Sequence, residues 1–252
     1  MIEIVMNEKD WVESALRDGQ IGKRPAVTIG RLAKYYHAQG LRKKDIKRNI
    51  DEFMARCDAS YNPVRWQDTI DAMVKSVAKY PLIEIDHISV TVKEMEAILS
   101  LDGSMRQRLM FTLLCLAKYG NAVRDTNKGW VNYESKDIFA LANITLTSKR
   151  QALAINDLWS AGYIGYSRIV DNVNLCVQII DDESDTAIEI SDFRNLGNQF
   201  RAYMNEKAYF RCANCGLMIR RSSPNHKYCP ECAVDINRAT TLQKYRKSTA
   251  ND

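Results

Sequence analysis

Apolar residues recur at helical spacing in three consecutive segments near the start of the chain, residues 28–39, 42–56 and 66–80. They fall at positions i, i+3 and i+4, which places them on one face of each helix. Thr28 is expected to cap the first of these helices, because its hydroxyl can accept a hydrogen bond from a free amide of the first turn. The pattern predicts a helical domain over residues 1–86.

The next stretch combines helical patterns with an alternating one. Helices are predicted over residues 91–101 and 104–119, with Gly120 as the stop, and again over 135–144 and 147–159. Alternating apolar positions then indicate a two-stranded hairpin that ends near residue 180. The whole chain is therefore predicted to be mainly α, with a small β-hairpin in its central domain.

The order of these elements is helix, short helix, turn, helix and hairpin. Over residues 104–180 it resembles the winged helix-turn-helix family, and we expect this domain to occupy residues 87–180. Six apolar side chains are expected to close its three-helix core: Ile138, Phe139, Leu141, Leu153, Leu158 and Trp159.

The winged-helix resemblance also implies where nucleic acid would bind. In such domains the N-terminus of the last helix meets base edges and phosphates, which assigns Lys149, Arg150 and Gln151 to that contact and Arg168 to the wing. Winged helices also serve as protein-interaction modules, so the fold by itself does not establish contact with DNA.

An acidic segment follows the hairpin. Residues 181–192 contain six acidic residues and no lysine or arginine, which is typical of a linker or a solvated hinge. A helix interrupted by Gly197 is predicted over residues 193–209. We therefore expect an acidic linker and connecting helix over residues 181–206.

The most specific chemical signal lies near the C-terminus, where two C-x2-C pairs are separated by thirteen residues. Zn²⁺ takes four tetrahedral ligands, and each C-x2-C turn presents two thiolates to one side of the ion. Two pairs without a surrounding βαβ pattern do not suit a redox motif. The pairs predict one structural zinc ion bound by four residues: Cys212, Cys215, Cys229 and Cys232. His226 is expected to be a loop residue rather than a ligand.

Residues 207–252 resemble treble-clef or ribbon zinc fingers of phage and mobile-element proteins, because CxxCG is followed by KYCPEC and a helical segment. The resemblance implies that residues 233–247 form a helix. With the finger, this helix would present a basic surface of eight residues: Arg211, Arg220, Arg221, Lys227, Arg238, Lys244, Arg246 and Lys247. A closed four-cysteine site has no free coordination position and cannot activate water.

The net charge of +5 is unevenly distributed. Residues 207–247 hold nine lysines and arginines against two acids, and residues 21–50 hold nine against the single acid Asp45. Such stretches are typical of proteins that bind a phosphate backbone, although solvated helix faces produce similar runs.

Residues 25–81 also resemble the small helical domain that follows the catalytic domain of phage and plasmid primases. The likeness rests on the segments LAKYYHAQGLRKKDI, FMARCD and VKSVAKY. These segments contain no catalytic motif.

The composition, 46% hydrophobic and 27% charged residues, is that of an ordinary globular protein. The sequence contains no apolar run of membrane-spanning length and no secretory signal, so a cytoplasmic location is expected. Three single cysteines, Cys57, Cys115 and Cys176, are expected to be buried thiols. No phosphate loop, nucleophile elbow or dinucleotide fingerprint occurs, so neither enzymatic activity nor a small-molecule substrate is expected.

These observations favour a non-catalytic accessory protein of phage or mobile-element origin that binds nucleic acid, most simply double-stranded DNA. Replication initiation and transcriptional control would both suit it. The alternative is a protein-interaction module that docks on a polymerase, a replisome or a host defence complex. A basic surface would favour the first hypothesis, and an exposed apolar patch on the winged helix would favour the second.

Overall fold

A computed structural model describes residues 3–22, 24–167 and 174–249, with the side chains of Glu206 and of residues 243–249 outside the description. Within this part the chain is mainly helical, with ten α-helices and three small antiparallel sheets. It divides into two compact units, one of which is Val5–Asp86 while the other contains the residues from His87 onward. No helix in the described ranges is both long enough and apolar enough to cross a membrane.

The first unit is a helical bundle around one apolar core. Its elements are α1 (Glu8–Asp18), α2 (Pro25–Ala38), α3 (Lys43–Cys57), α4 (Pro63–Ser76) and a 3₁₀ turn (Val77–Lys79). The α2 helix begins three residues before the expected cap, because Pro25 at its first position already has the helical φ angle. Thr28 is therefore not a cap; it lies buried inside α2.

The second unit follows a longer order of elements. They are β1 (Ile88–Thr91), α5 (Val92–Leu99), α6 (Ser104–Val123), β2 (Trp130–Val131), α7 (Ser135–Leu141), α8 (Ser148–Ser160), β3 (Ile164–Tyr166), β4 (Leu175–Val177), β5 (Thr186–Ile190), α9 (Leu196–Met204), a 3₁₀ turn (Glu206–Ala208), β6 (Tyr209–Arg211), β7 (Met218–Arg220) and α10 (Pro230–Thr249).

The α6 helix forms the centre of the second unit, and eleven of its twenty residues are buried. It does not stop at Gly120 as expected, but continues to Val123. Gly120 does not take the positive φ of a helix-ending glycine. Instead, Asn127 packs its side chain against the bare Cα of Gly120, where an added Cβ would lie 2.6 Å from Asn127 Nδ2. Gly120 thus serves close packing inside the helix rather than helix termination.

The predicted hairpin is part of a three-stranded sheet. Strands β3 and β4 pair antiparallel with Ile164 opposite Val177, and β2 joins the other edge of β4, so the order is β2–β4–β3. Residues 168–173, which connect β3 to β4 and include Arg168, lie outside the described residues.

Two of the six side chains expected in the central core are on the surface. Ile138, Phe139, Leu141 and Leu158 are buried, whereas Leu153 is 56% exposed and Trp159 is 49% exposed. The α8 helix buries Ala154, Ile155 and Leu158, and Leu153 and Trp159 fall outside that face. Their assignment to the core is therefore wrong.

The acidic segment is a structured part of the second unit rather than a linker, although most of its acids are exposed. Residues Thr186–Ile190 form β5, which pairs antiparallel with β1 so that Ile88 lies opposite Ile190. Asp181 accepts hydrogen bonds from Ser184 and Thr91, and those from Ser184 hold the pKa of the Asp181 carboxyl well below its usual range. The acids therefore lie in a structured loop and strand of the second unit.

A buried ion pair holds this loop against α6. Glu94 is fully buried, and its carboxylate lies 2.8 Å from the amine of Lys118. The same carboxylate accepts from the backbone amides of Thr91, at 2.7 Å, and Asp181, at 2.9 Å. Lys118 also donates to the Asp181 carbonyl at 3.1 Å. Because these hydrogen bonds compensate both charges, the pair fixes α5, α6 and the acidic loop together.

The predicted connecting helix also belongs to this core. The α9 helix buries Leu196 and Phe200 and packs on α6, where the rings of Phe111 and Phe200 lie 5.3 Å apart. Gly197 does not interrupt α9. It lets the helix approach the end of α7 so closely that an added Cβ would lie 1.9 Å from the Ala142 carbonyl oxygen.

We predict that Lys118→Met destabilises the second unit by about 3–5 kcal/mol, because it leaves the buried Glu94 carboxylate without its counter-charge. Lys136→Met is the control, since Lys136 pairs with Glu134 on the surface and its loss should leave exchange in α6 unchanged. Native-state hydrogen exchange of the α6 amides measures both changes. Equal effects of the two substitutions would contradict a structural role for the buried pair.

Candidate metal centre and basic surface

Four cysteines converge at the C-terminal end of the described chain. The sulfur atoms of Cys212, Cys215, Cys229 and Cys232 all lie within 4.8 Å of one another, and the sulfurs of Cys215 and Cys229 are 3.8 Å apart. Metal–sulfur bonds of about 2.3 Å in tetrahedral geometry separate the sulfurs by about 3.8 Å, whereas a disulfide bond is about 2.05 Å long. The cluster could therefore hold a metal ion, as its spacing predicts.

Two different local structures supply the two pairs of sulfurs. Cys212 and Cys215 lie on the turn of the β6–β7 hairpin, which is closed by hydrogen bonds from Cys212 N to the Leu217 carbonyl and from Gly216 N to the Cys212 carbonyl, both 2.9 Å. Gly216 has φ +71°, a conformation that favours glycine. Cys229 directly precedes α10 and Cys232 lies in its first turn, which brings the second pair to the same point.

Backbone amides point at the sulfurs, as they do around thiolate ligands. Cys229 N donates to the Cys212 sulfur at 3.2 Å, and Cys232 N donates to the Cys229 sulfur at 3.4 Å. Burial acts to raise the pKa of Cys212, but amides of Cys215, Cys229 and Asn214 outweigh it and lower that pKa to about 6. The site is thus prepared to hold negative charge on sulfur.

The cluster cannot hold that charge on all four sulfurs without a cation. A hydrogen bond from Asn214, 3.3 Å from the Cys232 sulfur, acts to lower the pKa of Cys232, but the neighbouring cysteine sulfurs and burial raise it to about 12. Like charges at this spacing repel one another. A metal ion would relieve the repulsion and release the protons that remain.

His226 lies beside the cluster but not in it. Its Nδ1 accepts a hydrogen bond from the Ser222 backbone amide at 3.2 Å, and its ring packs against Phe210 with 4.8 Å between the ring centres. These contacts make His226 a structural residue of the finger loop, as expected from the sequence.

The β6–β7 hairpin separates an apolar face from a basic face. Phe210 and Ile219 are directly opposite each other and pack with the cysteines. Because side chains alternate along a strand, the other face carries Arg211 and Arg220, which are exposed and make no ion pair within the described residues. This pair is the main candidate for phosphate contact.

Other basic residues of the tail extend this surface. Lys227 and Arg238 are exposed, and the guanidinium of Arg221 stacks on the Phe210 ring at 4.9 Å while donating to the Pro224 carbonyl. The α10 backbone continues to Thr249, which agrees with a C-terminal helix. The side chains of Lys244, Arg246 and Lys247 lie outside the described part of the chain.

The basic stretch at residues 21–50 differs from the tail because neighbouring acids neutralise much of it. Lys34 lies 2.9 Å from the buried Glu8 carboxylate, Lys47 lies 2.6 Å from Asp71, and Arg48 contacts Asp45. Two further basic residues of this stretch also have partners: Arg42 pairs with Asp45, and Arg31 stacks on Trp11. Similar local charge in the sequence therefore produces a weaker positive surface here than on the finger.

The start of α8 keeps two of its predicted contact residues accessible. Lys149 and Arg150 are exposed and form no ion pair in the ranges described. Gln151 is engaged instead, because its side-chain amide donates to the Leu146 carbonyl at 3.1 Å. Further along α8, Asp157 is neutralised by Arg106 at 2.7 Å. The free positive charge of this helix is thus concentrated at its N-terminal end.

The three single cysteines have different environments. Cys115 is fully buried in α6, and burial raises the pKa of its thiol far above the usual range. Cys57 and Cys176 are only partly buried. The expectation of three buried thiols is therefore correct for Cys115 alone.

Sequence reasoning missed the residues that join the finger to the rest of the second unit. Asn143, Asn195 and Asn198 bond with one another between α7, α9 and the finger. The only sequence signal, at Asn143 and Asn195, was the preference of asparagine for the left-handed backbone that both adopt. The contacts join residues far apart in sequence, so no local pattern indicates them.

No protein-family model, curated protein or solved structure matches the chain. Its function is therefore inferred from the geometry of these residues.

We predict that the native protein carries about one metal ion per chain, and that Cys212→Ser or Cys229→Ser removes it. Loss of the ion should unfold the finger, because the metal supplies the folding energy of such small domains. Cys176→Ser is the control, since Cys176 is outside the cluster. Elemental analysis of the purified variants measures the metal, and a metal-free native protein would contradict the assignment.

Proposed function

We propose that the ion is Zn²⁺ and that its role is structural. Four cysteine ligands favour soft or borderline metals, and zinc is the usual occupant of closed sites of this kind. With four protein ligands no coordination position is left for water or a substrate, so we propose no catalytic role for the ion. Elemental analysis of the native protein distinguishes zinc from iron or copper.

We propose further that the chain is a non-catalytic nucleic-acid-binding accessory protein, with double-stranded DNA as its most direct partner. The observation that carries this proposal is the pair Arg211 and Arg220, exposed on one face of the β6–β7 hairpin and unpaired with any acid among the described residues. An arginine without an internal partner can contact phosphate through several N–H donors, and no existing ion pair has to be broken first.

The central elements support a second contact. The order α6, β2, α7, α8, β3, β4 and the sheet order β2–β4–β3 are those expected of a winged helix-turn-helix domain. In such a domain Lys149 and Arg150 would meet the phosphates beside the major groove. The finger's resemblance to those of phage and mobile-element proteins leads us to propose replication initiation or transcriptional control as the setting.

One observation favours a second candidate function, a protein-interaction module. Leu153, Trp159 and Tyr166 are each more than 40% exposed, and the rings of Trp159 and Tyr166 lie 5.9 Å apart. Large exposed apolar side chains on one domain are typical of a surface that contacts another protein. The partner would then be a protein whose apolar surface covers the exposed side chains of α8 and β3.

We predict that Arg211→Ala combined with Arg220→Ala weakens binding to all duplexes to a similar extent. Loss of two phosphate contacts should reduce the slope of log K against log salt by about 1.8. The matched control, Lys47→Ala with Arg48→Ala, removes two charges that are already paired with acids and should leave the slope unchanged. Fluorescence anisotropy across a salt series measures both. An unchanged slope in the finger variant would assign its charge to solvent or to a protein partner.

We also predict that Lys149→Ala with Arg150→Ala weakens duplex binding without lowering thermal stability, because both side chains are exposed. Leu153→Ser with Trp159→Ser should leave the salt slope intact, since neither residue carries charge. Gel shifts on duplexes selected from a random pool compare the two variants. If the first variant binds every duplex as tightly as the parent does, α8 is better assigned to a protein partner.

A further inference from the structure

The turn between α7 and α8 determines where the start of α8 lies. Asn143 occupies this turn with φ +54°, and the backbone amides of Asn143 and Ile144 close the end of α7 by donating to the carbonyls of Ala140, at 3.1 Å, and Phe139, at 2.9 Å. We call residues 142–144 the corner. Lys149 and Arg150 lie only a few residues after the corner, so a shift in the position of the corner also shifts these two residues.

One side of the corner is held by α6. Arg108 is buried and donates to the carbonyls of Ala142, at 3.2 Å, and Asn143, at 2.7 Å. These bonds lie within the central domain and do not involve the finger. These bonds fix the carbonyl groups of the corner to α6, but they hold the corner on its α6 side only.

The other side of the corner is held by α9. Asn143 uses both ends of its side-chain amide: Nδ2 donates to Asn195 Oδ1 at 3.1 Å, and Oδ1 accepts from the backbone amide of Asn198 at 3.1 Å. The approach is close because Gly197 has no Cβ to meet the Ala142 carbonyl. The N-terminal turn of α9 is thereby fixed to the corner.

The same turn of α9 is bonded to the finger. The side-chain amide of Asn198 donates to the Met218 carbonyl at 3.2 Å, and Arg194 donates to the Cys215 carbonyl at 2.7 Å. Met218 begins β7, and Cys215 is one of the four clustered cysteines. Both carbonyls belong to the hairpin that a metal ion would hold in shape.

We infer that the metal-bound finger positions the start of α8, with Asn143 and Asn198 as the positioning residues. The path runs from the Met218 carbonyl through Asn198 to Asn143. An ordered hairpin holds the Met218 carbonyl in position for its hydrogen bond to α9, and α9 in turn fixes the corner. A hairpin without metal loses this bond and leaves the corner free to move. The consequence for nucleic acid rests on the proposed function: binding through Lys149 and Arg150 would require a metal that neither residue touches.

Hydrogen exchange of the corner amides tests this inference without any nucleic acid. Removing the metal from the parent protein with a chelator should speed exchange at Asn143 and Ile144 about tenfold, the effect expected from losing one or two hydrogen bonds. Exchange in α3 of the first unit serves as the internal reference and should not change.

A double variant separates positioning from general unfolding of the finger. Asn198→Ala with Arg194→Ala removes two side chains that bond to the hairpin, at the Met218 and Cys215 carbonyls, and leaves the bonds of Asn143 to Asn195 Oδ1 and to the Asn198 backbone amide in place. This variant should still bind one metal ion, yet its corner amides should exchange at the faster rate even with metal bound. In this variant, removing the metal with a chelator should increase the exchange rate of the corner amides only slightly. Asn225→Ala, an exposed finger asparagine, is the matched control and should behave like the parent.

Two results would overturn the inference: corner exchange in the parent that does not respond to metal removal, or a double variant whose exchange with metal bound equals that of the parent. A parent protein that binds no duplex would instead reject the proposed function, and the exchange result would stand. The two failures are therefore distinguishable.

Discussion

The finger depends on four sulfur atoms that lie within 4.8 Å of one another. Its apolar core is small, with Ile219 buried beside the cysteines and Phe210, Leu217 and Tyr228 only partly covered. So little buried apolar surface cannot offset the conformational entropy of ordering a hairpin, a loop and the start of a helix. A metal ion held by the four sulfurs would supply what is missing, and the arrangement of Arg211 and Arg220 would then depend on it.

Ion pairing decides which of the two basic stretches can act on a partner. On α2 and α3, acids from the same bundle lie within 4 Å of several lysines and arginines, so part of their field is cancelled inside the unit. On the finger, Arg211 and Arg220 form no ion pair with an acid in the described part of the chain. Unpaired positive charge attracts phosphate more effectively than paired charge, because binding does not first have to break an internal pair.

The α8 helix has two different exposed regions. Its first turn carries Lys149 and Arg150, and its outer face carries Leu153 and, near its end, Trp159 beside Tyr166 of β3. Positive charge favours contact with a phosphate backbone, and exposed apolar surface favours contact with another protein. Leu153 lies less than one turn after Arg150, whereas Trp159 lies about two and a half turns after it, so the charged start of α8 and its aromatic end are separate surfaces.

Short-range patterns in the sequence determined much of this molecule. Helical periodicity predicted α3, α5, α7 and α8 to within a few residues, and the two C-x2-C pairs indicated the cysteine cluster, because both signals arise between residues close in the chain. Tertiary structure decided the rest. Acids of the supposed linker pair with Lys118 or join a sheet with β1, about 100 residues earlier in the sequence. Gly197 serves contact with Ala142, and Leu153 and Trp159 lie outside the face that α8 buries. Periodicity shows that a helix has an apolar side, but only the packed chain determines which neighbours cover it, which charges meet and which side chains stay exposed.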